Sequence, residues 1–139
     1  MCDWPVEKHR KRLERMLDAE FVEGSTPVID RAITQLDEYF AGSRRRFDIP
    51  LLLVGTPFQK SVWTELLAIP YATTISYAEL ARRIGRPTSV RAVANSNGAN
   101  ALSIFVPCHR VIGADSSLTG YAGGLLAKNY LLSLENSFC

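Results

Sequence analysis

Cysteine is scarce, at three residues in 139, and unevenly placed: Cys2 and Cys139 stand at the ends, and only Cys108 lies deep in the chain. Three cysteines cannot all pair within one chain, so a disulfide framework is excluded as the basis of the fold. Histidine is scarcer still, with His9 and His109 alone. Without a C-x-x-C pair there is no metal-ligand spacing, and no metal site is expected. No run approaches the roughly 18 consecutive apolar residues that a membrane span needs. The first twenty residues carry Glu7, Lys8, Arg10, Lys11, Arg12 and Glu14 among their apolar positions, so they lack the apolar stretch of a secretory signal, and a cytoplasmic location is expected. Acidic residues are missing from one window. All five charged residues between Leu80 and Ala114 are arginines: Arg82, Arg83, Arg86, Arg91 and Arg110. In a chain of net charge +2, such a local imbalance is either a solvated basic face or an electrostatic footprint for a phosphate backbone.

The length, with 47% apolar and 22% charged residues, suits a single compact core. Apolar positions at helical spacing (Val6, Leu13, Met16, Leu17) predict an amphipathic helix between Pro5 and Phe21. Thr26 and Pro27 predict the start of a second helix whose stripe (Val28, Ile29, Ala32, Ile33, Leu36, Tyr39, Phe40) is expected in the core. Thr56 and Gln59 form a capping box for a third, with Trp63 as a core anchor and Pro70 as a stop. Ser76 and Glu79 form another for Tyr77 to Ile84, closed by Gly85. Thr88 or Ser89 then caps a helix over Val90 to Asn97, closed by Gly98, and the short interval between these two helices is that of a helix-turn-helix. Ala101 to Val106 reads as a short buried strand. A last helix begins near Gly123 and carries Leu125, Leu126, Tyr130, Leu131 and Leu134 toward Glu135. The Arg44–Arg46 triplet reads as a solvated linker, and there is no internal repeat.

The chemistry concentrates at Phe105-Val106-Pro107-Cys108-His109-Arg110-Val111-Ile112. A cysteine beside His109 and Arg110 sits among neighbours that favour the thiolate, the reactive form; a lone cysteine is otherwise a buried, inert one. The run resembles the P-C-H-R-V signature of the O6-alkylguanine-DNA alkyltransferases. S-Y-A-E-L-A from Ser76, the arginine at Arg91, Asn100, Y-A-G-G from Tyr121 and the closing helix to Glu135 resemble the same family in the same order, over about Val28 to Glu135.

The resemblance implies a mainly α fold: a compact helical domain with a winged helix-turn-helix-like DNA-binding motif and short β elements, over 28–139. Residues 1–27 would be a helical extension where the family's longer members carry a separate mixed α/β domain. The implied activity is direct, stoichiometric transfer of an alkyl group from O6-alkylguanine in duplex DNA to Cys108, after the base is flipped out of the stack. A thiolate suits displacement at an sp3 carbon, which needs no oxyanion hole. His109 would activate Cys108 through a water, Glu135 would orient the imidazole, and Tyr77 would give a proton to the departing guanine. Arg91 would enter the duplex through the minor groove. Ser89, Asn97, Asn100, Arg110, Tyr121 and Gly123 complete the implied DNA-contacting and pocket residues, Asn100 by bracing the turn, Tyr121 and Gly123 by walling the base pocket. Val106 and Cys108 would offer backbone acceptors to the base. Ala101 departs from a position where the family often has proline, which loosens the expected turn. No cofactor is implied, and the chain is expected to act as a monomer. A non-catalytic, alkyltransferase-like damage sensor is the alternative, but such proteins typically replace the cysteine with tryptophan.

Overall fold

The computed structural model describes residues 6–113 and 124–138. Its elements in chain order are α1 (Val6–Leu17), α2 (Pro27–Phe40), α3 (Pro57–Leu66), β1 (Ile75–Ser76), α4 (Tyr77–Arg83), α5 (Val90–Gly98), a 3-10 turn (Cys108–Arg110), β2 (Val111–Ile112) and α6 (Leu125–Ser137). The mainly helical class with short β elements is the expected one.

The caps explain most of the boundaries. Thr26 accepts from the Ile29 N–H with Pro27 at the first helical position. Thr56 and Gln59 make the reciprocal capping box that starts α3, each side chain satisfying a backbone N–H that helix geometry leaves unpaired. At α4 only half of the expected box forms. Ser76 accepts from the Glu79 N–H, while the Glu79 carboxylate turns outward to Arg82 and Arg83. Gly85 ends the unit with φ +73, in a left-handed conformation that any side chain would strain although nothing lies near its missing Cβ.

Helices α3, α4 and α5 pack on one another around Val62, Trp63, Leu66, Leu80, Ala81 and Val93, all buried. The Trp63 indole N–H donates 2.8 Å to the Ser96 carbonyl and so ties α3 to α5. At Gly55 a Cβ would lie 2.6 Å from the same indole ring, so only glycine lets the chain enter α3 this close to it. From α1, Arg12 donates 2.9 Å to the Ala99 carbonyl and lies over Trp63, a cation at the C-terminal end of α5 where the helix dipole favours one.

Two expectations fail for tertiary reasons. The α2 stripe is not a core stripe: Tyr39 is buried, but Ile29, Ile33 and Phe40 are 43%, 54% and 40% exposed. Residues 101–106 form no strand. They turn, with only a bridge between Ser103 and Val106, and Ile104 takes φ +75, outside the extended region a strand requires. On α6, Leu125, Leu126 and Tyr130 face outward, and the buried positions are Lys128, Leu131 and Glu135. Met16 and Leu17 of α1 are likewise exposed.

Candidate active site

The site is built where β1 and β2 meet. These strands pair in parallel, Ile75 with Val111 and Ser76 with Ile112, which sets the start of α4, and hence Tyr77, beside the turn carrying Cys108, His109 and Arg110. Strand β2 follows that turn directly, and α6 closes the side opposite with Lys128 and Glu135.

His109, Arg110 and Glu135 form one buried group. His109 Nε2 lies 2.6 Å from Glu135 Oε2, with both side chains fully buried. Arg110 grips the other carboxylate oxygen through Nε at 2.7 Å and Nη2 at 2.6 Å, and its Nη1 donates 2.8 Å to the Ile69 carbonyl. The Ala72 N–H donates to the same carboxylate at 3.4 Å; Ala72 stands in the left-handed region, φ +58. Burial would push the Glu135 carboxyl up, but the hydrogen bonds from His109 and Arg110 outweigh it and hold it below the usual range. Burial pulls His109 below its ordinary value despite Glu135. The imidazole is therefore neutral at pH 7, and with Nε2–H donated to Glu135 the lone pair falls on Nδ1, which meets no hydrogen-bond partner among the described residues.

Cys108 is almost fully buried and free of disulfide. Burial pushes its thiol up, and Asn100 and Lys128 offset this only in part. The two cations expected from the sequence do not supply a thiolate: Arg110 is spent on Glu135 and His109 is neutral, and with Lys128 offsetting burial only in part the resting group is a thiol. Asn100 braces the turn, its Nδ2 donating 2.9 Å to the Val106 carbonyl and 3.2 Å to Cys108 Sγ, while its Oδ1 accepts from the Leu102 N–H at 3.0 Å. Asn97 donates 3.2 Å to the Cys108 carbonyl. Both carbonyls expected to receive the base are thus engaged: Val106 O also accepts from the Cys108 N–H at 2.8 Å, and Cys108 O from the Val111 N–H.

Lys128 was not found from sequence. It is fully buried on α6, donates to the Val111 carbonyl, and lies over the Tyr77 ring at 5.6 Å. Burial lowers it to about 8. The only signal was its spacing, three residues before Leu131 and seven before Glu135, on a face that hydrophobicity alone would not have chosen. Tyr77 is buried, and burial raises its phenol to about 12, with Asn97 pulling the other way.

The residues expected to contact DNA divide. Arg91, in the first turn of α5, is exposed, and so is Arg86. Ser89 occupies the N-cap position but makes no side-chain cap bond. Arg110, Asn97 and Asn100 are buried, and the hydrogen bonds given above turn each of them toward the interior of the chain. The basic window is also weaker than it reads, since Glu79, one residue upstream of it, pairs with both Arg82 and Arg83. Tyr121 and Gly123 lie outside the described residues.

Residues 57–137 match the family described as 6-O-methylguanine DNA methyltransferase, DNA binding domain. The chain is 53% identical over 111 residues, 79% of its length, to the constitutive methylated-DNA--protein-cysteine methyltransferase of Bacillus subtilis, of which the match covers 67%. It is 55% identical over 106 residues, 76% of its length, to the Mycobacterium tuberculosis protein of the same name, of which it covers 64%. The crystal structure of M. tuberculosis OGT in complex with DNA superposes with a TM-score of 0.78 at 52% identity, over 80% of this chain and 69% of that one. The chain thus spans about two thirds of the length of these curated relatives.

Proposed function

Because this chain belongs to the 6-O-methylguanine DNA methyltransferase family, we propose that it repairs duplex DNA by taking the alkyl group of O6-alkylguanine onto its own Cys108. The observation that carries this reading is the buried sequence of thiol, imidazole and carboxylate: Cys108 next to a neutral His109 whose Nε2 is held 2.6 Å from Glu135, leaving Nδ1 as the proton acceptor. Because burial keeps Cys108 protonated, its proton must leave as the substrate arrives. A water between Sγ and Nδ1 passes it to His109, and Glu135 stabilises the imidazolium so formed.

The thiolate attacks the alkyl carbon; the S–C bond forms as the C–O6 bond breaks, and the electron pair departs with O6. The guanine anion takes a proton on a ring nitrogen from the Tyr77 hydroxyl. At about 12 that phenol keeps its proton at neutral pH until a strong acceptor forms beside it, and it regains one from solvent. The product thioether has no leaving group a protein side chain could displace, so each molecule acts once, without cofactor.

The target carbon is out of reach inside a stacked duplex, so the nucleotide must be flipped out. Arg91, exposed at the start of α5, would fill the gap from the minor groove, with Arg86 on the backbone; a part for Tyr121 and Gly123 in the base pocket rests on the family resemblance alone. A monomer acting in the cytoplasm suffices. Incubation with a slight excess of duplex bearing one O6-methylguanine should add one methylene to the intact mass, mapped to Cys108 and absent in Cys108→Ala. An unchanged mass with tight, lesion-selective binding would overturn the transfer reading in favour of a damage sensor.

A further inference from the structure

We propose that Arg110 is a positioning residue for the transfer, one that orients Glu135 against His109 and keeps His109 Nδ1 as the proton acceptor. The inference deepens the transfer reading and rests on it for its kinetic consequence, though not for its structural one.

The geometry is that of a clamp. A carboxylate offers about four acceptor directions. Arg110 takes Oε1 with Nε and Nη2 at 2.7 and 2.6 Å, its Nε also reaches Oε2 at 3.3 Å, and the Ala72 N–H approaches Oε1. Oε2 is thereby turned to His109 at 2.6 Å. The far end of the guanidinium is itself fixed: Nη1 is held by the Ile69 carbonyl at 2.8 Å, and the group lies over the Tyr71 ring at 5.6 Å. A planar fork held at both ends sets the carboxylate's plane as well as its charge, which a lysine ammonium in the same place could not do.

The charge count gives the fork its second effect. The buried group holds one anion, Glu135, and one obligatory cation, Arg110. With the anion already balanced, a proton on His109 would add a second cation to a fully buried site, where an unpaired charge is costly. Without Arg110, the imidazole would be the natural counter-charge of Glu135 and would hold a proton on each nitrogen, leaving no lone pair for the thiol proton. Among the described residues, the other charged or titratable groups around this pair are Lys128 on α6, Cys108 on the turn, Tyr77 on α4, Tyr39 on α2, Tyr71 after α3 and Arg45, which lies over the same Tyr71 ring. Lys128 also disfavours a protonated His109, so it acts in the same sense as Arg110. Tyr39, buried near Glu135, is held neutral.

The test compares wild type, Arg110→Gln and Arg110→Lys by two measurements: 15N NMR titration of the His109 ring, and single-turnover methyl transfer between about pH 5.5 and 8.5. In Arg110→Gln the His109 titration should move up by about one pH unit, and transfer should fall about tenfold further at acid than at alkaline pH. Arg110→Lys should return the titration toward wild type while transfer stays slow at every pH, because the charge is restored without the fork. If Arg110→Gln does not fold, Arg110→Lys decides by itself: a wild-type rate would overturn the orienting role. An unmoved His109 titration in Arg110→Gln, with transfer slowed equally at all pH values, would reduce Arg110 to packing and overturn the proposal. The titration needs no alkyl transfer, so a wild-type protein that failed to transfer would sink the transfer reading while leaving Arg110 to be judged separately.

Discussion

Asn100 spends its whole amide on the active-site turn, two N–H bonds outward to the Val106 carbonyl and Cys108 sulfur and one acceptor inward to Leu102. Truncation would strand those buried groups rather than merely remove a contact. Asn100→Ala should therefore cost about 2–3 kcal/mol in urea unfolding and slow transfer as well. Asn100→Asp keeps the shape but replaces the donor facing sulfur with an anion. It should slow transfer more than Asn100→Ala, because like charges oppose the thiolate; the reverse order would show that the sulfur contact is incidental. Asn100 as a brace and Glu135 as the partner of His109 were legible only through the resemblance to the family, because each alone reads as an ordinary polar residue. The sequence carried no sign that Arg110 and Asn97 are buried, since the neighbours that bury a polar residue beside a reactive cysteine are distant in sequence. It concealed Lys128, because a lysine seldom occupies a fully buried position.

At the scale of elements, the caps carry a prediction that separates two hydroxyls alike in sequence. Thr56 holds a reciprocal box, so Thr56→Ala should cost about 1 kcal/mol. Ser89 makes no cap bond, so Ser89→Ala should cost no more than a few tenths of a kcal/mol, the usual size for a substitution that removes no bond. Equal losses in matched melts would refute the distinction. Helix α5 itself carries the DNA prediction: Arg91→Ala should weaken duplex binding and reduce the salt slope by about one, while Arg82→Ala, whose guanidinium is paired with Glu79, should do less. Fluorescence anisotropy at several salt concentrations reads both. The helix starts were legible because a capping side chain acts on its own backbone. The strand expected over 101–106 was not, because alternation cannot report that Ile104 sits at positive φ. The α2 stripe failed similarly: periodicity identifies an apolar face but not whether a neighbour covers it, and Ile29, Ile33 and Phe40 are left largely uncovered.

For the molecule as a whole, the buried ionisable groups set the pH range of stability. His109 and Glu135 are both held below their ordinary values. As pH falls past about 6.5 the unfolded chain protonates His109 before the folded one does, and past about 4.3 the same holds for Glu135. The unfolded state binds the extra protons in both windows, so stability falls steadily on acidification. On the alkaline side two groups oppose each other. Cys108 is raised, so its contribution is lost as pH rises past about 8.5. Lys128 is lowered to about 8, and between there and its unfolded value the unfolded chain holds the extra proton, so stability rises with pH. Holding this ammonium charged at neutral pH costs on the order of 3 kcal/mol. Lys128→Met should consequently stabilise the protein at pH 7 by about 1–2 kcal/mol, the remainder being lost because the Val111 carbonyl loses its donor. The gain should shrink as pH rises past about 8 and reverse before about 10.5, because wild type sheds most of the cost of the charge over that range while the variant still lacks the donor to Val111. Urea midpoints of wild type and variant across this range would show it directly. A variant less stable at pH 7, or a gain independent of pH, would mean that the Lys128 charge is better compensated by its surroundings than its burial implies.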